Sequence, residues 1–225
     1  MNITYLGHSS LKIEANGKSI LVDPFVSENP RASHIDVNNL ECDYILITHA
    51  HYDHIMDVEA LATRTNALII SNHEIVTYYE GKGLKGHGMN HGGTWNFDFG
   101  SIKMVNAIHS SSFPDGANGG NPAGFVLSSE GKHVYIAGDT ALTMDMKLIP
   151  LFFKLDLAIL PVGGNFTMDI NEALYAAEFV ECNNIMGVHF DTAPYIEIQH
   201  EEAKAKFSAK GKTLNLLSIG DSLAV

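Results

Sequence analysis

The sequence predicts an α/β protein of layered sheets covered by helices. Short apolar runs of strand length alternate with stretches of helical periodicity along its 225 residues. The alternation begins afresh near residue 100, so the two halves look alike. No Pro/Ser-rich linker parts them, and residues 1–225 are read as one domain.

The elements follow in order. Ile3, Tyr5, Leu11, Ile13, Ile20 and Val22 alternate with polar residues, and Gly7 and "ANGKS" supply turns, which predicts a meander of short strands. "YILI" (44–47) and "ALII" (67–70) read as strands. "MDVEALATR" (56–64) and "NHEIVTYYE" (72–80) read as helices, the second capped by Asn72. A Gly-rich loop is predicted over 81–94. The second half gives strands at 101–108, 124–129 and 133–138, a helix at 142–153 and a strand at 155–160. In 168–183, Ala173, Leu174, Ala177 and Val180 share one side of an amphipathic helix. A strand at 184–188, a helix at 197–210 and a closing segment at 213–217 complete the pattern.

Bulk properties exclude several classes. The formal charge is −12, and no basic stripe is present to grip a phosphate backbone. No apolar run approaches the ~18 residues of a membrane span. "MNITYLGHSS" lacks the basic start and apolar core of a signal peptide, so a cytoplasmic protein is expected. Cys42 and Cys182 have no metal-type spacing and read as buried free thiols.

The chemistry concentrates in "ILITHAHYDHI" (45–55). His49, His51, Asp53 and His54 crowd directly behind an apolar strand. Positions i, i+2 and i+4 do not share a helix face, so a loop must gather these side chains. His109, Asp139 and His189 likewise follow apolar runs. Sites in layered α/β folds gather beyond the carboxyl ends of strands, so these ends are expected to converge. Imidazole and carboxylate suit Zn, Fe or Mn. Seven candidates exceed one tetrahedral ion and suit two, with Asp139 as the candidate bridge because a carboxylate has two oxygens. Two divalent cations ~3.5–4 Å apart share a water and turn it into hydroxide at neutral pH.

The cluster resembles the metal-binding signature of the metallo-β-lactamase superfamily, and the later His, Asp and His appear in that family's order. The resemblance implies a four-layer αββα sandwich. It implies His49, His51 and His109 on a first metal, Asp53, His54 and His189 on a second, and Asp139 between them. Asp23 in "LVDP" resembles the family's early aspartate, which supports the ligand loop from behind. "YLGHSS", "LVDPF", "GMNHGG", "HSSS", "AGDT", "PVGGNFTMD" and "VHFDT" look like the small metal-dependent hydrolase branch, similar to ascorbate-6-phosphate lactonase. That likeness implies a small-molecule substrate, an ester or lactone ahead of a phosphodiester.

The expectation is therefore a binuclear hydrolase in which metal-bound hydroxide attacks a carbonyl or phosphoryl centre. Asp139 or Asp53 positions the water or shuttles a proton. Zn is the first candidate metal, and Mn, Fe and Ni suit the same donors. His8, Asn165 and Thr167 follow strand ends and are candidate substrate contacts. Asp191 and Thr192 are candidates to orient His189. His87 and His91 fall in the Gly-rich loop, read as flexible surface or a lid. Gly81, Gly83 and Gly86 match G-x-G-x-x-G but follow a helix, the wrong context for a dinucleotide. Two rival readings stand beside the first: a nucleic-acid processing hydrolase of the same fold, which needs a basic arm, and a non-enzymatic metal-binding module. A homo-oligomer is left open.

Overall fold

The computed structural model describes residues 1–225. The chain opens with the meander β1 (Asn2–Gly7), β2 (Ser10–Ala15) and β3 (Lys18–Val22), then crosses to β4 (Tyr44–Leu46). A four-residue helix α1 (Tyr52–Ile55) and α2 (Val58–Thr65) lead to β5 (Leu68–Asn72), α3 (His73–Glu80) and β6 (Gly86–Met89). The second half holds β7 (Thr94–Phe97), β8 (Gly100–Asn106), β9 (Ala123–Ser129) and β10 (Lys132–Ile136). It continues through β11 (Leu157–Pro161), α4 (Ile170–Phe179) and β12 (Asn184–Val188). α5 (His200–Ser208), β13 (Thr213–Asn215) and β14 (Ser222–Ala224) end the chain.

The strands form two seven-stranded mixed sheets, ordered β14-β1-β2-β3-β4-β5-β6 and β13-β12-β11-β10-β9-β8-β7. Side-chain alternation dictates the layering. Ile20, Val22, Leu46 and Ile70 join one core with Ile102, Phe125, Leu127 and Ile136 of the other sheet. Their neighbours Leu21, Ile45 and Ile69 point the opposite way, into a second core with Val58 and Leu61 of α2 and Ile75 of α3. Ala173, Ala176 and Ala177 of α4 and Phe207 of α5 belong to the first core, so helices cover the second sheet as well. The result is the αββα sandwich.

The helices start where the sequence supplies caps. Asn72 accepts the amide of Ile75, and Asp169 with Glu172 forms a capping box for α4. Three boundaries differ from expectation. Residues 86–89 of the predicted Gly-rich loop form β6, paired in parallel with β5; a Cβ on Gly86 would lie 2.4 Å from Val76 Cγ1, so α3 packs on a strand that only glycine fits. The predicted helix at 142–153 is a 3-10 helix, Met144–Leu151, with Pro150 inside it lacking the N–H that α-helical bonding needs. β7 and β14 are short edge strands without alternation long enough to read. No helix is long and apolar enough to cross a membrane.

Candidate metal centre

β1, β3, β4, β8, β10 and β12 end on the same side of the sandwich, and the polar cluster gathers beyond those ends. His8 follows β1 directly, Asp23 follows β3, and His49 lies just past β4. His109, Asp139 and His189 follow β8, β10 and β12. The donors come from both sheets, so the centre sits across their seam. Backbone strain marks the place: His8, Asp23 and His189 have φ of 56°, 44° and 55°, a region non-glycine residues seldom occupy. Gly138 has φ 64°, and a Cβ there would lie 2.8 Å from Thr48 Cβ; its absence lets the Asp139 turn press against the His49 loop.

Two groups of nitrogens and oxygens converge. His49, His51 and His109 form one; Asp53, His54, His189 and His8 form the other, with ligand atoms in each group within 4.8 Å of one another. Asp139 lies between them. Its Oδ2 is 3.1 Å from His189 Nε2 and 3.4 Å from His54 Nε2 on one side. It is 3.6 Å from His109 Nε2 and 3.9 Å from His49 Nε2 on the other. His51 is the N-cap residue of α1, yet its side chain does not cap; Nδ1 faces His49 Nε2 at 3.0 Å and Nε2 faces Ser110 Oγ at 3.2 Å.

Asp23 organises the layer behind. Its Oδ1 accepts the Thr48 amide at 2.8 Å, and Oδ2 accepts the Thr48 hydroxyl at 2.7 Å and His54 Nδ1–H at 2.9 Å. The Thr48 hydroxyl has spent its proton on Asp23, so at 3.0 Å it accepts from His49 Nδ1–H. One carboxylate thereby orients two rings, turning the lone pair of His49 Nε2 and the Nε2 of His54 into the cluster.

Electrostatics follow from burial and crowding. Burial pushes the His49 imidazole well below its ordinary range, and the nearby His54 adds to this. Burial also lowers His51 and His109. At His54 burial is outweighed by Asp139 and Asp23, which hold it well above the ordinary value. Burial raises the Asp139 carboxyl, but His189 and His54 overcome this and hold it well down. The surroundings of His54 Nε2 thus favour positive charge. His54 Nε2 and Asp139 Oδ1 are buried without hydrogen-bond partners. Orphaned donor atoms of this type, converging between carboxylates, fit divalent cations of borderline hardness.

A profile described as the beta-lactamase superfamily domain matches residues 2–189. The chain belongs to that superfamily. It is 63% identical over 223 residues to a UPF0173 metal-dependent hydrolase of Flavobacterium johnsoniae, covering 99% of each chain. It is 58% identical over 224 residues to a counterpart in Christiangramia forsetii, again with 99% of each covered. Among solved structures, a metallo hydrolase of the archaeon Ignicoccus hospitalis superposes with a TM-score of 0.89 at 35% identity, covering 99% of this chain and 97% of the other. The isothiocyanate hydrolase from Delia radicum gut bacteria shares the fold, with a TM-score of 0.81 at 20% identity over 100% of this chain and 99% of that one. The chain is a metal-dependent hydrolase of the metallo-β-lactamase fold.

Other candidates of the superfamily chain lie elsewhere than expected. His8 is 4% exposed and held on both nitrogens, with Nε2 2.9 Å from Asp53 Oδ2 and Nδ1 2.9 Å from Thr192 Oγ1. Burial lowers its pKa to about 4, against the opposing Asp53 hydrogen bond, so the ring is neutral. A carboxylate only accepts; Nε2 therefore carries the proton to Asp53, and Nδ1 accepts from Thr192. Asp53 is raised by burial but lowered further by the His8 bond and His54, leaving it ionised. Asp191 does not reach His189. Its carboxylate accepts the Ile198 amide at 3.0 Å and faces His200 Nε2 at 2.6 Å. Asn165 is exposed at φ 57° and Thr167 half-buried; between them stands the exposed Phe166, which polar-residue reasoning passed over. Thr48 and Ser110 were also missed, although each adjoins a ligand candidate in sequence.

Proposed function

We propose that the centre is binuclear and hydrolyses a small carboxylic ester or lactone. The position of Asp139 Oδ2 between two histidine groups supports this reading most directly. His49, His51 and His109 would hold one cation, and Asp53, His54 and His189 the other, with Asp139 shared. Zn suits these donors best, and Mn, Fe and Ni suit them too. Bound cations there supply Lewis-acid charge for a developing oxyanion and acidify a water.

The protein's own groups do the rest. Asp23, directly and through Thr48, keeps two imidazole Nε2 atoms facing inward. His8 holds Asp53 by a hydrogen bond on the side away from the cluster. Asp53, ionised and 38% exposed, is the carboxylate that reaches the solvent side and can take a proton there. Asp139, at 3% exposure, is shielded from exchange and serves as a fixed charge.

The test pairs metal content with turnover. Protein stripped by chelator and reloaded should bind two Zn or Mn ions per chain and cleave a lactone faster than a phosphodiester. Asp139→Ala should lose at least one ion and the turnover together. One ion per chain in both proteins would overturn the binuclear reading; preference for the phosphodiester would overturn the substrate class.

A further inference from the structure

We infer that the mouth of the centre selects substrates whose non-reacting part is apolar and uncharged, seated against Phe166 and Tyr195. This names the substrate class of the proposed ester or lactone hydrolase and rests on that reading for the chemistry.

Two loops carry the pair. Residues 162–169 follow β11, and residues 189–199 follow β12 and begin with His189. The first loop packs directly on the second: a Cβ on Gly163 would lie 2.2 Å from His189 O. It is also tied to the Asp139 turn, since the Met168 amide donates to Thr140 O at 3.1 Å. Phe166 and Tyr195, one from each loop, meet edge to face with ring centroids 5.6 Å apart. They are 57% and 62% exposed. Ile108, beside His109, is 50% exposed and donates its amide to Thr140 Oγ1 at 2.9 Å, so it shares the same turn. Exposed large apolar side chains are thus held by loops that carry or adjoin His109, Asp139 and His189. Aromatic side chains bordering such a site offer apolar area that a ligand can cover.

Charge agrees. Loops 23–43, 47–57, 107–122, 137–143, 162–169 and 189–199 contain one Lys or Arg between them, Arg31. Its Nε already donates to Asp191 O at 3.1 Å. Carboxylates of Glu28, Asp115 and Glu197 stand in these loops instead. A phosphorylated or carboxylated tail would find no unpaired Lys or Arg in these loops, while an alkyl or aryl tail would find two aromatic rings.

The experiment uses metal-loaded protein and p-nitrophenyl esters of acetic, butyric and hexanoic acids, with the hemisuccinate as a charged tail. kcat/KM should rise at least tenfold from acetyl to hexanoyl and fall below acetyl for succinyl. Phe166→Ala and Tyr195→Ala should flatten the rise to less than about threefold, while Tyr175→Ala, an exposed aromatic on α4, should keep it. A flat series in the wild type, or a rise that survives in F166A and Y195A, overturns the apolar seat and leaves the ester chemistry standing. If no ester is turned over, the chemistry falls instead. The seat is then read by saturation-transfer NMR of 4-phenylbutan-2-one, an uncharged probe. Binding weakened at least fivefold in F166A and Y195A supports it; absent or unchanged binding overturns it.

Discussion

Asp23→Asn changes almost no volume and puts a donor in place of one acceptor oxygen, so it isolates the role of this carboxylate. Asp23 Oδ1 accepts a backbone amide from Thr48, which places the amide oxygen of the asparagine there. The NH2 must then sit where Oδ2 meets the Thr48 hydroxyl at 2.7 Å and His54 Nδ1 at 2.9 Å. Both of those groups were donors. Thr48 must now accept, and its freed proton turns toward His49 Nδ1. His54 Nδ1 must accept as well. Each imidazole then carries its hydrogen on Nε2, the nitrogen that faces the cluster. Partners of this type contribute about 10–100-fold each to metal affinity, which is about 1.4–2.7 kcal/mol per position. Chelator competition should therefore show metal affinity falling by that factor in D23N, with the fold kept by circular dichroism. Long-range 15N NMR of the metal-free protein should show His49, which burial keeps neutral, changing from the Nδ1–H to the Nε2–H tautomer. An unchanged tautomer with unchanged affinity would refute the reasoning.

Three further outcomes are expected. Gly138→Ala should cost about 2–3 kcal/mol in denaturant unfolding, because it combines an unfavourable φ with a Cβ 2.8 Å from Thr48 Cβ; a change within 0.5 kcal/mol would remove the close-approach argument. Tyr135→Phe should raise Tm, since the hydroxyl is buried with no partner and its removal relieves about 1 kcal/mol of desolvation; a lower Tm would show that the hydroxyl is satisfied in solution. Asp156 accepts the His133 amide at 2.9 Å and Lys132 Nζ at 3.1 Å; burial raises its carboxyl, but these bonds hold it below 3.8. Asp156→Ala should cost about 1–2 kcal/mol at pH 7, and the depressed value means that this difference stays full above 3.8 and shrinks as pH falls through the folded-state value. A difference that grows on acidification would contradict the assignment.

Much of this was legible before any coordinates. The period-2 runs located the core strands, and Asn72 announced a helix start. Strand ends followed by His or Asp identified the residues that converge. The failures have physical causes. β6 is glycine-rich, and glycine carries no side-chain pattern; only the packing of Val76 reveals why it is a strand. The 3-10 helix has helical apolar spacing up to Pro150, whose missing N–H is a one-residue signal against a twelve-residue pattern. His8 could be read either as a substrate contact or as a hydrogen-bonded turn histidine, and no local pattern names its partners, because Asp53 and Thr192 lie 45 and 184 residues away. Phe166 and Tyr195 gave no signal, since an exposed aromatic looks like a core residue until burial is known.

The seam that divides the centre between two sheets also makes it a latch. The first half of the chain contributes His49, His51, Asp53 and His54; the second contributes His109, Asp139 and His189. A cation held by both groups would tie the sheets together at one edge, adding its binding free energy to the stability of the sandwich. Part of the fold's resistance to prying apart would then be set at its mouth, the place where hydrolysis demands access.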